Sequence, residues 1–288
     1  MTRMSNLAQV DLLLGLIGDN IAASRSPLLH TLVGRQNGMA VRYDRLVPPQ
    51  MGMDFEAVFE QARAQGYRGV NVTYPYKERV CAQVQVDDPL VRAVGAVNTV
   101  IFEAEGARGH NTDFSGFMAA YRRVRGEAAP GTVVMIGTGG VGRAVAFGLA
   151  GLGARELRLM DRAPEKAEAL AEALQAVAPE MKISIWIDPA KAAKGATGVI
   201  NCTPVGMVGY EGTPLPRAAM VGAEWAFDAV YTPVETEFLQ DAAAEGLAVL
   251  SGWELFFYQG VHAWAHFAGK PLDEAALRDA LLNTKETV

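Results

Sequence analysis

The chain has 288 residues, a length that suits one large domain or two ordinary ones. Lys and Arg number 26 against 32 Asp and Glu, giving a formal net charge of −6 without blocks of like charge, which disfavours nucleic acid and anionic membranes as partners. The two cysteines, Cys81 and Cys202, stand alone, so neither a disulfide framework nor a zinc site is predicted and a reducing, cytoplasmic location is expected.

The first apolar run, residues 12–18, resembles a signal peptide because Arg3 precedes it. Its seven residues include two glycines, which makes a poor apolar core for such a segment, and Asp11 and Asp19 bracket it, so a buried first strand is predicted instead. The longest other apolar run, residues 144–154, is far shorter than the roughly 20 residues that a membrane helix needs. We therefore expect a soluble protein.

Residues 12–113 alternate between strand-like and helix-like patterns in the order β-α-β-α-β, which favours a mostly parallel sheet. A hairpin follows with Glu105 and Gly106 at its turn, and a helix is predicted to begin at Asp113 because apolar residues recur at helical spacing after it. The segments are, in chain order, LLLGLIG, the residues after SRSPLLH, VRYDRLV, DFEAVFEQARAQG, RGVNVTY, AVNTVIFE with GARGHN, and FSGFMAAYRRV.

A second series of alternating strands and helices begins after the turn signal Pro130-Gly131 and has the pattern of another α/β domain. After Gly252 the pattern is helical to the end of the chain. Since no long linker or repeat is present, domain boundaries are predicted near residues 113 and 252. The segments of this series are TVVMIG, a helix over 139–152, ELRLMD, a helix over 164–178, ISIWI, GVINCTP, EWAFDAVY, VETEFLQDAAAEG and AVLSG.

A glycine-rich turn, Gly137-x-Gly139-x-x-Gly142, lies between a predicted strand and a predicted helix, which is the context of a dinucleotide-binding turn. Its glycines allow a tight turn, the approach of a pyrophosphate and close helix packing, and the helix N-terminus attracts phosphate. The alternative is a turn whose glycines only satisfy backbone geometry and packing. The predicted coenzyme contacts of the turn are Gly137, Thr138, Gly139, Gly140, Val141 and Gly142.

Asp161 stands at the end of the next predicted strand, where a carboxylate can accept hydrogen bonds from the adenosine ribose and repel a 2′-phosphate. NAD is therefore favoured over NADP as the cofactor. Arg162 keeps NADP open, because a guanidinium beside the same ribose can pair with a phosphate. The alternative role of Asp161 is a solvated N-cap for the following helix.

Seven motifs, taken in order, resemble those of the shikimate dehydrogenase family, and within it the NAD-linked quinate/shikimate dehydrogenases. The resemblance runs from about residue 14 to about residue 270. Seven ordered motifs are far more specific than a single glycine pattern. They are SRSPLLH (24–30), NVTYPYK (71–77), GAVNTV (95–100), GHNTDFSGF (109–117), NCTPVGM (201–207), DAVYTPVETE (228–237) and YQGVHAW (258–264).

The resemblance implies two α/β domains with an active-site cleft between them. Residues 1–112 plus 253–288 would form the substrate-binding domain, and residues 113–252 a Rossmann-type dinucleotide-binding domain. The implied reaction is the reversible NAD-dependent oxidation of shikimate to its 3-dehydro ketone by hydride transfer, with quinate as a second candidate substrate. The implied partner is a small cyclohexane carboxylic acid, bound by a monomer or a homodimer.

The resemblance also implies roles for single residues. Lys77 would be the acid/base group, and Asp113 would orient it and hold a neighbouring substrate hydroxyl. On local pattern alone, Lys77 could instead open a helix over YKERVCAQV, and Asp113 could be an N-cap. Ser24 and Ser26 would donate hydrogen bonds to the substrate carboxylate. The implied substrate contacts are Ser24, Ser26, Thr73, Asn98, Tyr231 and Gln259, with Thr203 and Gly252 beside the nicotinamide.

Three of these residues also fit plainer roles. Ser26 suits an N-cap with Pro27 at the first helical position, Asn98 suits a turn or bulge, and Gln259 suits a helix surface. His262 and His266 stand one helical turn apart, but no third ligand accompanies them and no metal site is predicted.

Two departures from the family pattern bear on the substrate. Ser26 stands where members that use quinate well often carry Thr, which favours shikimate. Tyr74 is bulkier than the residue usual at its place, although strand alternation would point it away from the cleft. The alternatives left open are a relative acting on another cyclohexane polyol acid, such as an aminated shikimate, an NAD-dependent dehydrogenase of a different small hydroxy acid, and a non-catalytic NAD-binding sensor.

Overall fold

The computed structural model describes residues 10–284, which form two compact units. The first unit comprises the described residues up to Gln85, then Val97–His110 and the residues from Gly260 onward, and the second comprises Val86–Ala96 and Asn111–Gln259. In chain order the elements are β1 Leu12–Ile17, α1 Ser26–Gln36, β2 Val41–Leu46, α2 Pro48–Met51, α3 Phe55–Ala64, β3 Gly69–Val72, α4 Pro89–Val94, β4 Thr99–Glu103, β5 Gly106–His110, α5 Thr112–Arg125, β6 Thr132–Ile136, α6 Gly140–Gly151, β7 Glu156–Met160, α7 Pro164–Val177, β8 Lys182–Ile185, α8 Pro189–Ala192, β9 Gly198–Asn201, β10 Trp225–Asp228, α9 Glu237–Ala244, β11 Ala248–Leu250, α10 Gly252–Ala268 and α11 Glu274–Asn283.

The first unit contains a five-stranded sheet in the order β2-β1-β3-β4-β5. β1 pairs in parallel with β2 and β3, whereas β4 pairs antiparallel with β3 and β5. Leu14 and Ile17 of β1 are fully buried, which confirms that the first apolar run is a core strand. The predicted hairpin is confirmed, but Glu103 pairs with Gly106, so its turn is Ala104-Glu105 rather than one residue later.

The second unit contains a six-stranded sheet in the order β11-β10-β9-β6-β7-β8, and all of its strand pairs are parallel. One core cluster joins α5, α6 and α7 to the sheet, and another joins α9 to it. Strands covered on both faces read as nearly continuous apolar runs, which is why TVVMIG and GVIN were recognisable from the sequence. The predicted Rossmann-type fold is confirmed.

The second unit also holds the segment Val86–Ala96, which contains α4. Arg143 of α6 donates a hydrogen bond from Nε to the Val94 carbonyl at 2.6 Å. Asn111 donates one from Nδ2 to the Ala96 carbonyl at 2.9 Å. Compact units and functional domains need not share boundaries, and the division of the chain at residues 113 and 252 stays a proposal.

Within residues 10–284, no helix combines the length and apolar character needed to cross a lipid bilayer. The longest helix, α10, has 17 residues.

Candidate functional site

The glycine-rich turn joins β6 to α6 and has room only for glycine at two of its positions. Gly137 has a φ of +98°, and a Cβ there would lie 2.6 Å from the Cys202 carbonyl oxygen. A Cβ at Gly142 would lie 2.3 Å from the Gly137 carbonyl oxygen. Gly139 is the N-cap of α6 and borders open space. Because the first N–H groups of a helix have no intrahelical acceptor, Gly140, Val141 and Gly142 present donors suited to a phosphate.

The Asp161 carboxylate, just after β7, is held by the same turn. Its Oδ2 accepts hydrogen bonds from the Thr138 N–H and hydroxyl, both at 2.8 Å, and its Oδ1 accepts one from the Ala163 N–H at 3.0 Å. Burial alone would raise the pKa of this carboxyl, but the hydrogen bonds from Ala163 and Thr138 outweigh it and hold the pKa below its usual value. A carboxylate has about four acceptor positions, so three are used and one remains for a ribose hydroxyl.

Asp161 is not the N-cap of α7, because that position is Ala163 and no side chain caps the helix. The alternative role considered for Asp161 is therefore wrong. Its neighbour Arg162 is exposed.

Thr203 follows β9 and is fixed by a buried polar network. The Thr203 N–H and hydroxyl donate to the Asn201 Oδ1 at 2.9 and 2.6 Å. Asn201 in turn donates from Nδ2 to the Asp228 Oδ1 at 3.0 Å. Asp228 also accepts from the Val230 N–H at 2.9 Å and the Thr236 hydroxyl at 2.6 Å. The ends of β9 and β10 are thereby tied together.

Burial of Asp228 raises the pKa of its carboxyl to about 6, although the three donors oppose the shift. Sequence reasoning missed Asn201 and Asp228. The signal that could have found them is a polar residue at the carboxyl end of each of two buried parallel strands, in NCTP and DAVY.

Gly252, Tyr231 and Gln259 also lie in the second unit. A Cβ at Gly252 would lie 2.5 Å from the Ala229 carbonyl oxygen, so α10 begins in close contact with the chain that follows β10. Tyr231 stacks on Phe256 of α10 with ring centroids 5.5 Å apart. The Gln259 Nε2 donates to the Phe256 carbonyl at 2.9 Å. Tyr231 and Gln259 are thus both anchored at Phe256.

Asp113 is buried in the first turn of α5. The N-cap of this helix is Asn111, whose Oδ1 accepts from the Phe114 N–H at 3.0 Å, so the prediction that Asp113 begins or caps the helix is wrong. A Cβ at Gly116, one turn further along α5, would lie 2.8 Å from the Gln259 backbone nitrogen. The structure therefore brings the helix that carries Asp113 against the helix that carries Gln259.

Lys77 lies in the first unit, and Asp113 in the second. The predicted helix over YKERVCAQV is only a short 3₁₀ helix, Arg79–Gln83, which begins after Lys77. The Lys77 carbonyl accepts from the Val97 N–H at 2.8 Å, which places the lysine backbone beside the residue that precedes Asn98. Thr73 is partly exposed, and Tyr74 is exposed, on the same segment.

Ser24 and Ser26 are both buried, with their hydroxyl oxygens 3.3 Å apart. Ser26 is the first residue of α1 and Pro27 the second, while the N-cap is Arg25 and makes no side-chain cap. The N-cap alternative for Ser26 is therefore wrong. Ser26 hydrogen-bonds the hydroxyl of Tyr43, whose pKa is raised by burial. Sequence reasoning did not find Tyr43.

Two histidines of the first unit, His110 and His266, lie against each other. Among the residues that the structure describes, no group of three or more His, Cys, Asp or Glu side chains could hold a metal ion. The ring centroids of His110 and His266 are 3.8 Å apart.

The chain is similar to known proteins along nearly its whole length. Residues 16–100 match the family described as "Shikimate dehydrogenase substrate binding domain", and residues 132–209 match "NADP oxidoreductase coenzyme F420-dependent". A quinate/shikimate dehydrogenase (NAD(+)) of Corynebacterium efficiens is 36% identical over 280 residues, covering 94% of this chain and 98% of that protein. A shikimate dehydrogenase (NADP(+)) of Streptomyces avermitilis is 37% identical, covering 93% and 94% respectively.

A solved structure gives the same result. Quinate dehydrogenase from Corynebacterium glutamicum in complex with NAD matches with a TM-score of 0.90 at 33% identity, covering 96% of this chain and all of that one. The resemblance predicted from seven motifs is confirmed, as is the relation to enzymes that use NAD or NADP. The chain belongs to the shikimate dehydrogenase family of NAD(P)-dependent oxidoreductases.

Proposed function

We propose that this protein catalyses the reversible NAD-dependent oxidation of shikimate, and of quinate as a second substrate, to the 3-dehydro ketone. The observation that carries the proposal is the 36% identity, over 94% of the chain, to a relative named quinate/shikimate dehydrogenase (NAD(+)). The Rossmann-type unit and its glycine turn supply a place for the dinucleotide.

Two residues are proposed to act on the reacting hydroxyl. In the oxidation, a hydride leaves the carbinol carbon for the nicotinamide, and the hydroxyl proton must pass to a base. Lys77 is proposed as that base, and as the acid in the reverse direction. Asp113, which does not cap α5, is proposed to orient the lysine and to hold an adjacent ring hydroxyl.

The remaining site residues are proposed to bind and orient. The buried hydroxyls of Ser24 and Ser26, 3.3 Å apart, suit the two oxygens of a carboxylate. Ring oxygens would be bound by Thr73, Asn98, Tyr231 and Gln259. Thr203 and Gly252 would lie at the nicotinamide.

NAD is proposed as the preferred coenzyme, with NADP as the weaker one. Asp161 is anionic, and one of its acceptor positions is left for a ribose hydroxyl. A 2′-phosphate charge at about 4 Å from this carboxylate would be repelled by roughly 4 kcal/mol at an effective dielectric constant of about 20. The exposed Arg162 reduces that preference, because it can pair with a phosphate. A cytoplasmic location and a monomeric or homodimeric state complete the proposal.

The test follows the absorbance of NADH or NADPH with shikimate, quinate, an aminated shikimate and a simple 2-hydroxy acid, each with NAD and with NADP. We expect turnover with shikimate and NAD. Turnover with the 2-hydroxy acid alone, or with an aminated shikimate alone, would identify a different dehydrogenase. NADH binding without turnover on any of these acids would indicate a sensor and contradict the proposal.

Replacing the proposed base gives a second test. Lys77→Met should lower kcat by about 10²-fold or more, while NADH binding measured by fluorescence stays as in the wild type. Lys270→Met, at an exposed lysine of the same unit, is the matched control and should behave as wild type. A Lys77→Met variant with near-normal turnover would refute the assigned role.

A further inference from the structure

Asn71, the first residue of the motif NVTYPYK, lies at the centre of a buried hydrogen-bond network in the first unit. Its Oδ1 accepts from the Tyr43 hydroxyl at 2.8 Å. Its Nδ2 donates to the Asn98 carbonyl at 3.2 Å and to the Thr99 hydroxyl oxygen at 3.0 Å. An amide has two acceptor and two donor positions, so both donor positions and one acceptor position of Asn71 are used within the protein.

The backbone carbonyl of Asn98 determines which side-chain atom donates and which accepts in each of these hydrogen bonds. The Asn98 carbonyl can only accept, so the atom of Asn71 that faces it must be Nδ2. Because the same Nδ2 also faces Thr99, the Thr99 oxygen accepts there and its own proton points elsewhere. That proton is donated to the Asn98 side chain at 3.0 Å. The atom of Asn98 on this side is therefore the acceptor, Oδ1.

The backbone makes this arrangement rigid. Asn71 of β3 and Thr99 of β4 are direct cross-strand partners, and Thr99 is completely buried. Asn98 itself is fixed by two backbone hydrogen bonds, from the Val72 N–H to its carbonyl at 2.9 Å and from its N–H to the His110 carbonyl at 3.1 Å. An Asn98 amide with Oδ1 bound to Thr99 can offer only Nδ2 to a ligand.

We infer that Asn71 and Thr99 are positioning residues that set Asn98 as a hydrogen-bond donor to the ring oxygen of the substrate that is oxidised. The inference rests on the proposed function, in which Asn98 contacts the substrate. A donor can bind the oxygen of an alcohol and the oxygen of a ketone alike, whereas an acceptor can bind only the alcohol. Asn98 held in this orientation suits both directions of a reversible alcohol oxidation.

The first test is a double-mutant cycle on kcat/KM for shikimate. Thr99→Val keeps the shape of the side chain and removes the hydroxyl, so it should lower kcat/KM about tenfold, mainly through KM. Thr99→Ser keeps the hydroxyl and should restore most of the loss. If Thr99 acts through Asn98, the variant with Thr99→Val and Asn98→Ala together should be no worse than Asn98→Ala alone. Losses that multiply, or a Ser variant as impaired as Val, would overturn the inference.

The second test does not depend on the folding of a Thr99 variant. Asn98→Asp keeps the oxygen that accepts from Thr99 and replaces the donor Nδ2 by an acceptor. The KM for the 3-dehydro ketone should then rise at least tenfold more than the KM for shikimate, since a carboxylate can accept from a hydroxyl but repels a keto oxygen. Equal changes in the two KM values would overturn the inference. Lack of any turnover by the wild type would overturn the proposed function and this inference together, whereas turnover with unchanged selectivity overturns this inference alone.

Discussion

Asp228 provides a prediction about stability and pH. Its carboxyl is fully buried, with three hydrogen-bond donors, and its pKa is raised from 3.8 to about 6 because burial disfavours the charge. That shift of about two units corresponds to about 3 kcal/mol between the protonated and ionised forms. The folded state binds the proton more tightly than the unfolded state, so this contribution to the free energy of unfolding is fully present below pH 3.8 and is lost as the pH rises through about 6.

Asp228→Asn isolates this contribution. The amide keeps an oxygen for Asn201 and Val230, and its NH₂ group faces Thr236, whose hydroxyl oxygen can accept instead of donating. The free energy of unfolding is measured by urea titration of both proteins at several pH values between 4 and 8. The wild type should gain up to about 3 kcal/mol relative to the Asn variant as the pH falls from 7 to 4. A difference that is constant with pH, or a wild type that gains as the pH rises, would refute the assignment of burial as the dominant effect.

Three further variants test the coenzyme and substrate sites. Asp161→Ser should shift the ratio of NAD to NADP catalytic efficiency about 100-fold towards NADP, and an unchanged ratio would contradict the proposed repulsion of the 2′-phosphate. Gly142→Ala should weaken NADH binding, measured by fluorescence, about tenfold or more. The added Cβ would lie 2.3 Å from the Gly137 carbonyl oxygen and push α6 away from the turn. Wild-type affinity would show that the turn accommodates the methyl group without loss of binding. Tyr43→Phe preserves the ring that stacks on His30 but removes the hydroxyl between Ser26 and Asn71. The KM for shikimate should therefore rise about tenfold with kcat nearly constant. An unchanged KM would exclude a role for Tyr43 in placing Ser26.

The central strands of the second unit, β6, β9 and β10, were predictable because each is buried on both faces. A strand in such a sheet has no polar face, so it reads as a short apolar run bounded by turn residues, as in TVVMIG between Gly131 and Gly137. The strand–turn–helix order around the glycines then predicts where a dinucleotide can bind. Here the local sequence alone indicates both the buried strand and the glycine turn. The predicted strand–turn–helix order is confirmed for that reason.

The helix starts were less predictable, because a cap is decided by tertiary contacts. Asn111 and Asp113 both suit an N-cap, and the sequence alone favoured Asp113. The structure selects Asn111, whose Nδ2 also bonds the Ala96 carbonyl, a partner 15 residues away in the chain. At α1 the helix begins without any side-chain cap, so that the hydroxyl of Ser26 bonds Tyr43 instead. In both cases a shift of the N-cap by one or two residues changes which side chain is available to a ligand.

The polar residues that the sequence did not single out share a place in the structure. Asn71, Asn201 and Asp228 are each the last or next-to-last residue of the strands β3, β9 and β10, are buried, and are hydrogen-bonded within the protein. Each lies two or three positions before a residue proposed to contact substrate or coenzyme, namely Thr73, Thr203 and Tyr231.

A motif such as NVT or NCT therefore combines two functions that the letters do not distinguish. The first polar side chain, Asn71 or Asn201, makes hydrogen bonds within the protein. The side chain two positions later, Thr73 or Thr203, is the one proposed to contact the ligand. Donor and acceptor counts separate the two, because a buried side chain whose donors are both occupied within the protein, like that of Asn71, acts on a ligand through its neighbours. Substitution of the supporting residue should then change the same kinetic constant as substitution of the residue it supports, and the two effects should not add.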